Sequence, residues 1–99
     1  MNSFSSIING QVPVVVDFSA EWCSPCKMMQ PILSQLKSSM GEKVRILKVD
    51  VDKNPDLAAS KNIRSVPTIK IYQSGIEKWT GSGVIQADKL EMIIRNHTS

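Results

Sequence analysis

Two segments of the chain are rich in apolar, β-branched residues and predict strands. The first, residues 12–18 (VPVVVDF), is apolar almost without interruption, which is typical of a strand buried on both faces. The second is residues 44–51 (VRILKVDV). Two further segments, 68–73 (TIKIYQ) and 76–81 (IEKWTG), flank the dipeptide Ser74-Gly75 and together predict a β-hairpin.

Apolar residues between the first two strands recur at helical spacing and predict a helix over residues 24–40, with Gly41 as its stop signal. Pro31 lies inside this segment, and we expect a kink there because its ring clashes with the preceding turn. Shorter helices are predicted over residues 3–9, over 54–62, where Asn54-Pro55 supplies the cap and first position, and over 86–96.

The predicted order of elements is α-β-α-β-α-β-β-α. Strands separated by helices indicate a parallel βαβ unit, and the hairpin adds antiparallel strands. The expected fold is therefore α/β: one domain over residues 1–99, a three-layer α/β/α sandwich around a mixed four-stranded sheet. With 99 residues, 41% of them hydrophobic, the chain can build this core without help from a disulfide.

Charge and targeting signals exclude several classes of function. The 12 Lys and Arg are interspersed with 9 Asp and Glu, so the net charge of +3 indicates a solvated basic surface rather than a nucleic-acid site. No apolar stretch approaches the ~18 residues of a membrane span. The first residues lack the basic and apolar regions of a secretory signal, so we expect a cytoplasmic protein, in which thiols are kept reduced.

The two cysteines, Cys23 and Cys26, form a CxxC motif that has three interpretations. A structural disulfide would constrain little, because so small a ring contributes only about 2 kcal/mol in the loop-entropy formula. A zinc site needs four ligands, and the chain offers these cysteines and His97. The third interpretation is a redox dithiol, which is favoured because the motif lies between a predicted strand and a helix of a βαβ unit.

The position of the motif predicts different roles for its two sulfurs. Cys23 falls near the N-cap of the helix, and Pro25 falls in the first turn, where its missing N–H costs nothing. Unpaired N–H groups and the positive end of the helix dipole favour the thiolate form of Cys23. Cys26 lies one turn further on and is expected to be the more buried partner.

Several motifs together resemble the thioredoxin family. The segment VVVDFSAEWCSPCKMMQP is similar to the family's active-site segment, SVPT to its substrate-binding proline loop, and KVDVDKNPDLA and QSG to the segments around it. The resemblance begins at about Phe4 and covers nearly the whole chain. It implies a protein-disulfide reductase without a cofactor or metal, acting as a monomer, with disulfide-containing client proteins and a thioredoxin-reductase-type electron donor as partners. The alternative is an interaction module on the same fold, in which the thiols are incidental.

The resemblance also implies roles for residues around the dithiol. Asp17, a carboxylate in an apolar strand, would be a buried acid with a raised pKa that relays the proton of Cys26; otherwise it bonds a nearby turn. Lys48, expected to face inward from the neighbouring strand, would be its electrostatic partner. The Val66-Pro67 bond would be cis, with the Val66 backbone pairing a substrate strand; otherwise Pro67 only opens a strand. The other residues implied in substrate binding are Trp22, Ser24, Pro25 and Gly83, whereas Trp79 is expected to pack in the core.

Three departures from the family pattern carry expectations of their own. Ser24 replaces the usual glycine between Cys23 and Pro25, at a position that influences the reduction potential. Ser19 stands where many members have a tryptophan, so we expect looser packing beside the site. The family's extra N-terminal strand is expected to be absent, which leaves residues 44–51 at an edge of the sheet, where Arg45 and Lys48 would hinder pairing with another strand.

Overall fold

The structure is a computed structural model that describes residues 3–99, and for Ser3 the backbone only. The elements are α1 (Ser3–Ile8), β1 (Val14–Ser19), α2 (Ser24–Met40), β2 (Arg45–Asp50), α3 (Pro55–Ser60), β3 (Thr68–Gln73), β4 (Ile76–Ser82) and α4 (Ala87–His97). This order confirms the predicted one. A short 3-10 turn, Gly41–Lys43, is added after α2.

The four strands form one mixed sheet in the order β2-β1-β3-β4. β1 runs parallel to β2, and β3 is antiparallel to both β1 and β4. No strand precedes β1 in residues 3–99, so β2 is an edge strand, as expected. The mixed four-stranded sheet and the α/β class are thereby confirmed.

Each face of the sheet has its own core, because successive side chains of a strand point to opposite faces. Val15 of β1 packs with the apolar faces of α2 and α4, and Leu36 and Leu90 are fully buried there. Val16 and Phe18 pack on the other face with Phe4 of α1. Helices therefore cover both faces, which gives the three layers.

Local differences from the predicted helices are small. α2 extends from Ser24 to Met40 with Pro31 inside it, as predicted, and the kink at Pro31 stays a prediction. Asn54 occupies the N-cap position of α3, but its side chain makes no capping bond and donates instead to the Asp50 carbonyl oxygen, 3.0 Å away. The predicted cap and first position, Asn54 and Pro55, are confirmed, and only a capping hydrogen bond is missing, because the carbonyl at the end of β2 takes the Asn54 amide.

Candidate active site

The dithiol lies where β1 ends and α2 begins. Cys23 is the N-cap residue, with extended backbone angles (φ −95°, ψ 111°), and Pro25 stands in the first turn. The backbone N–H of Cys26 donates to the Cys23 Sγ at 3.2 Å. The two cysteines are joined in a disulfide. This local geometry follows from the sequence, because an N-cap side chain accepts a hydrogen bond from the N–H groups of the first turn.

Burial does not distinguish the two cysteines in this disulfide form. Cys23 is 4% exposed and Cys26 is 3% exposed. Cys26 is buried, as expected, but Cys23 is buried almost as completely, so the expected difference between them is small. The reason is tertiary: both sulfurs pack in one cluster with Ala20, Val51 and Val66, which come from three different loops.

The loop before β3 contacts the cysteine pair through Val66. The Val66-Pro67 peptide bond is cis, as expected. The Val66 carbonyl oxygen lies 3.7 Å from the Cys23 Sγ, and the Pro67 carbonyl accepts the Gly83 N–H at 2.9 Å. Gly83 has a φ of +88°, a left-handed conformation that favours glycine, while a Cβ there would meet nothing within 4 Å. Glycine is thus required at position 83 by the backbone rather than by crowding.

Asp17 lies on the face of β1 that α2 covers, and it is completely buried. Neither carboxylate oxygen has a hydrogen-bond partner among residues 3–99. Burial raises the pKa of Asp17 from its ordinary 3.8 to about 6, and the positive charge of Lys48 opposes this shift. The raised pKa was expected from the resemblance; the role in proton relay stays a proposal.

Lys48 is paired with Asp17 in the parallel register of β1 and β2, so both residues lie on the same face of the sheet. Lys48 therefore lies on the face that α2 covers, as expected for an inward-facing residue, although the residue as a whole is exposed. Because β2 is the edge strand, the long side chain of Lys48 can reach solvent beside the sheet. Lys48 therefore acts on Asp17 through its charge and without a hydrogen bond.

Trp22 projects from the surface beside the dithiol, with 71% of the residue exposed. Its indole N–H donates to Asp52 Oδ2 at 2.9 Å. Asp50 Oδ1 in turn accepts the backbone N–H groups of Asp52 and Lys53 at 2.9 and 3.1 Å. Lys53 also forms an ion pair of 3.5 Å with Glu21. The loop after β2 thus supplies a hydrogen-bond acceptor to an exposed tryptophan.

Sequence reasoning did not single out Asp50 and Asp52. A signal was present: both acids lie at the carboxyl end of a strand predicted to run parallel to β1. The carboxyl ends of parallel strands meet at one edge of the sheet, so this loop had to approach Trp22. Ser24 and Pro25 are exposed at the start of α2, and Trp79 is partly buried against the core, as expected.

A cysteine pair at the start of a helix, a proline loop against one sulfur and a buried acid in the adjoining strand define a class of protein that exchanges thiols and disulfides. The thioredoxin family model matches residues 1–96. The chain belongs to the thioredoxin family.

Several thioredoxins match nearly the whole chain. A thioredoxin of Rickettsia bellii is 38% identical over 91 residues, which are 92% of this chain and 87% of that protein. One from Porphyra purpurea is 36% identical over 93 residues, 94% of this chain and 87% of that protein. Among solved structures, a mutant thioredoxin from Halobacterium salinarum has a TM-score of 0.88 and 28% identity, covering 100% of this chain and 86% of that one. With its cysteine pair, the chain is a thiol–disulfide oxidoreductase with a disulfide-reductase role.

No helix in residues 3–99 is long and apolar enough to cross a membrane. Over the same range, no group of three or more His, Cys, Asp and Glu side chains is placed to hold a metal ion.

Proposed function

We propose that this chain reduces disulfides of client proteins through a mixed disulfide on Cys23, and that a thioredoxin-reductase-type protein restores the dithiol. One observation carries the order of attack. The Cys23 Sγ stands at the N-cap of α2 and accepts the Cys26 N–H at 3.2 Å, an arrangement that stabilises a thiolate on Cys23.

The exchange proceeds in two steps. The Cys23 thiolate attacks one sulfur of the client disulfide, the client S–S bond breaks, and one client thiolate leaves. Cys26 then loses its proton and attacks the Cys23 Sγ, which releases the second client thiol and closes the Cys23–Cys26 disulfide. Two electrons pass from the dithiol to the client, and the partner reductase returns two electrons with two protons.

Asp17 is the proposed acceptor for the Cys26 proton. A carboxyl with a pKa of about 6 is mostly ionised at neutral pH and can take up a proton there. The charge of Lys48, on the same face of the sheet, favours the ionised form. We therefore expect Asp17→Asn to slow the second step at neutral pH and to leave the first attack unchanged.

The client is proposed to bind across the surface between Trp22 and the Val66-Pro67 loop. An extended client segment can pair with the backbone of Val66, whose carbonyl lies 3.7 Å from the Cys23 Sγ. This surface is bordered by four further residues: Trp22, Ser24, Pro25 and Gly83. The cytoplasmic location of the protein stays a prediction.

The test compares two single-cysteine variants of the reduced protein, with insulin as the disulfide substrate. Cys26→Ser should accumulate a mixed disulfide on Cys23 that dithiothreitol releases, because the first attack remains and the resolving thiol is gone. Cys23→Ser should form little adduct. Equal adducts on both variants would contradict the order of attack, and no adduct on either would favour the interaction module.

A further inference from the structure

Three hydroxyl groups meet beside the cis-proline loop and form what we call the hydroxyl cluster: Ser65, Thr68 and Ser82. Thr68 directly follows the cis Val66-Pro67 unit, opens β3 and is 6% exposed. Its Oγ1 donates to the Ser65 carbonyl oxygen at 2.7 Å. Thr68 is paired with Ser82 in the antiparallel ladder of β3 and β4, and their hydroxyl oxygens lie 3.4 Å apart. One buried hydroxyl thus joins the loop to the end of β4.

The hydrogens of the hydroxyl cluster have one consistent arrangement. A hydroxyl group donates one hydrogen bond and can accept two. Because the Thr68 hydrogen is used for the Ser65 carbonyl, Ser82 is the donor in its contact with Thr68. The Ser65 hydroxyl in turn donates to the Ser82 Oγ at 3.4 Å. The three bonds form a closed circuit that begins and ends on Ser65, and in such a circuit each bond strengthens the next.

The bond from Thr68 fixes the peptide unit between Ser65 and Val66. This unit is trans, so it is planar and its C=O and N–H groups point in opposite directions. Since the Ser65 carbonyl points to Thr68, the Val66 N–H points away from that hydroxyl. This N–H makes no backbone hydrogen bond within residues 3–99. It is therefore available as a donor in the same residue whose carbonyl lies 3.7 Å from the Cys23 Sγ.

The loop has a second anchor that does not depend on a side chain. The Pro67 carbonyl accepts the Gly83 N–H at 2.9 Å, on the far side of the cis bond from Ser65. A substitution at Thr68 leaves both of these backbone groups in place. Loss of the Thr68 hydroxyl should therefore release the peptide between Ser65 and Val66 while Pro67 stays anchored. The expected disturbance is confined to the backbone that pairs with the client and does not reach the dithiol.

We propose that Thr68 is a positioning residue for client binding: its hydroxyl, supported by Ser82, holds the Val66 N–H in the direction of the client strand. The inference rests on the proposed function, in which the Val66 backbone pairs with an extended client segment. Thr68 acts through the peptide between Ser65 and Val66 and touches neither the sulfurs nor the client.

A purely structural role of Thr68 has a different consequence. Serine and threonine hydroxyls commonly bond a backbone carbonyl three residues back, which stabilises a turn. In that role the Thr68 hydroxyl contributes to stability alone, and its loss leaves the affinity for clients unchanged. In the positioning role its loss weakens client binding and leaves the chemical step unchanged. The KM and kcat of client reduction therefore distinguish the two roles.

The experiment measures KM and kcat for insulin reduction, with dithiothreitol as the donor. Thr68→Val removes the hydroxyl and keeps the branched shape of the side chain. It should raise the KM about three- to ten-fold and change kcat less than about two-fold, because one hydrogen bond to the client is weakened and the dithiol is untouched. Thr68→Ser keeps the hydroxyl, so its KM should stay within about two-fold of that of the unsubstituted protein.

Two controls separate client docking from the reactivity of the sulfurs. Thr80→Val is the matched substitution, because Thr80 is an exposed threonine of β4 outside the hydroxyl cluster, and its KM should be unchanged. Cystamine is a small disulfide without a peptide backbone, so it cannot pair with Val66. The rate at which the reduced protein reduces cystamine should be the same in all these variants.

An unchanged KM in Thr68→Val, or an equal rise in Thr68→Ser, would overturn this inference. An equal loss of rate with insulin and cystamine would also overturn it, because the effect would then lie at the dithiol. If Thr68→Val does not fold, Ser82→Ala decides, since it alters an exposed residue: its KM should rise about two-fold, and an unchanged KM would overturn the inference. Failure of the unsubstituted protein to reduce insulin would refute the proposed function and this inference with it, whereas the other results bear on Thr68 alone.

Discussion

Replacing Asp17 by Asn should change how the stability of the protein depends on pH. The folded protein holds this carboxyl with a pKa of about 6 instead of 3.8, because burial penalises its charged form. Between these two values the folded state keeps a proton that the unfolded state has lost. Stability therefore falls as the pH rises from about 4 to about 6, and the full penalty remains above the folded pKa.

The size of the effect follows from the difference between the two pKa values. At 1.36 kcal/mol per pH unit, the change from 3.8 to about 6 corresponds to about 3 kcal/mol. Asn has nearly the same shape and no charge, so the variant lacks this pH-dependent penalty. Its buried amide still has no partner, but that cost is the same at every pH. The advantage of Asp17→Asn should therefore grow by about 2–3 kcal/mol between pH 4 and pH 7.5.

Urea unfolding of both oxidised proteins at a series of pH values measures this difference directly. Other ionisable groups contribute equally to both proteins and cancel. Asp56→Asn, which alters an exposed carboxylate of α3 in the same way, serves as the matched control and should change stability at neutral pH by less than about 0.5 kcal/mol. A difference between Asp17→Asn and the unsubstituted protein that stays constant from pH 4 to pH 7.5 would refute the reasoning.

Two other substitutions test the surroundings of the dithiol. Asp52→Ala removes the acceptor of the Trp22 indole N–H, so it should alter tryptophan fluorescence and raise the KM for protein disulfides. The free energy of unfolding should change by less than about 1 kcal/mol, because the hydrogen bond is exposed. An unchanged KM would show that this hydrogen bond does not assist client docking. Gly83→Ala should cost about 1–2 kcal/mol in urea unfolding, because alanine is strained at a φ of +88°. A loss of less than about 0.5 kcal/mol would mean that the backbone relaxes.

The order of the elements, the turn at Ser74-Gly75 and the dithiol at the start of α2 could all be predicted from the sequence. These features depend on neighbours a few residues apart: alternation or helical spacing of apolar residues, and the capping position of Cys23. The roles implied for Asp17 and the Val66-Pro67 loop came from the resemblance instead. Local periodicity carries no information about which loop will face the sulfurs.

Only the tertiary structure decided the environment of the site. The similar burial of Cys23 and Cys26 depends on the Val66 loop, which lies about 40 residues further along the chain. The exposure of Lys48 depends on the edge position of β2, and the tether of Trp22 depends on a contact between residues 30 apart. A cavity lined by Ser19, Cys26 and Lys48 likewise brings together residues of β1, α2 and the edge strand. Such contacts arise when complete elements pack together, so their geometry is set by the whole sandwich and not by any one segment.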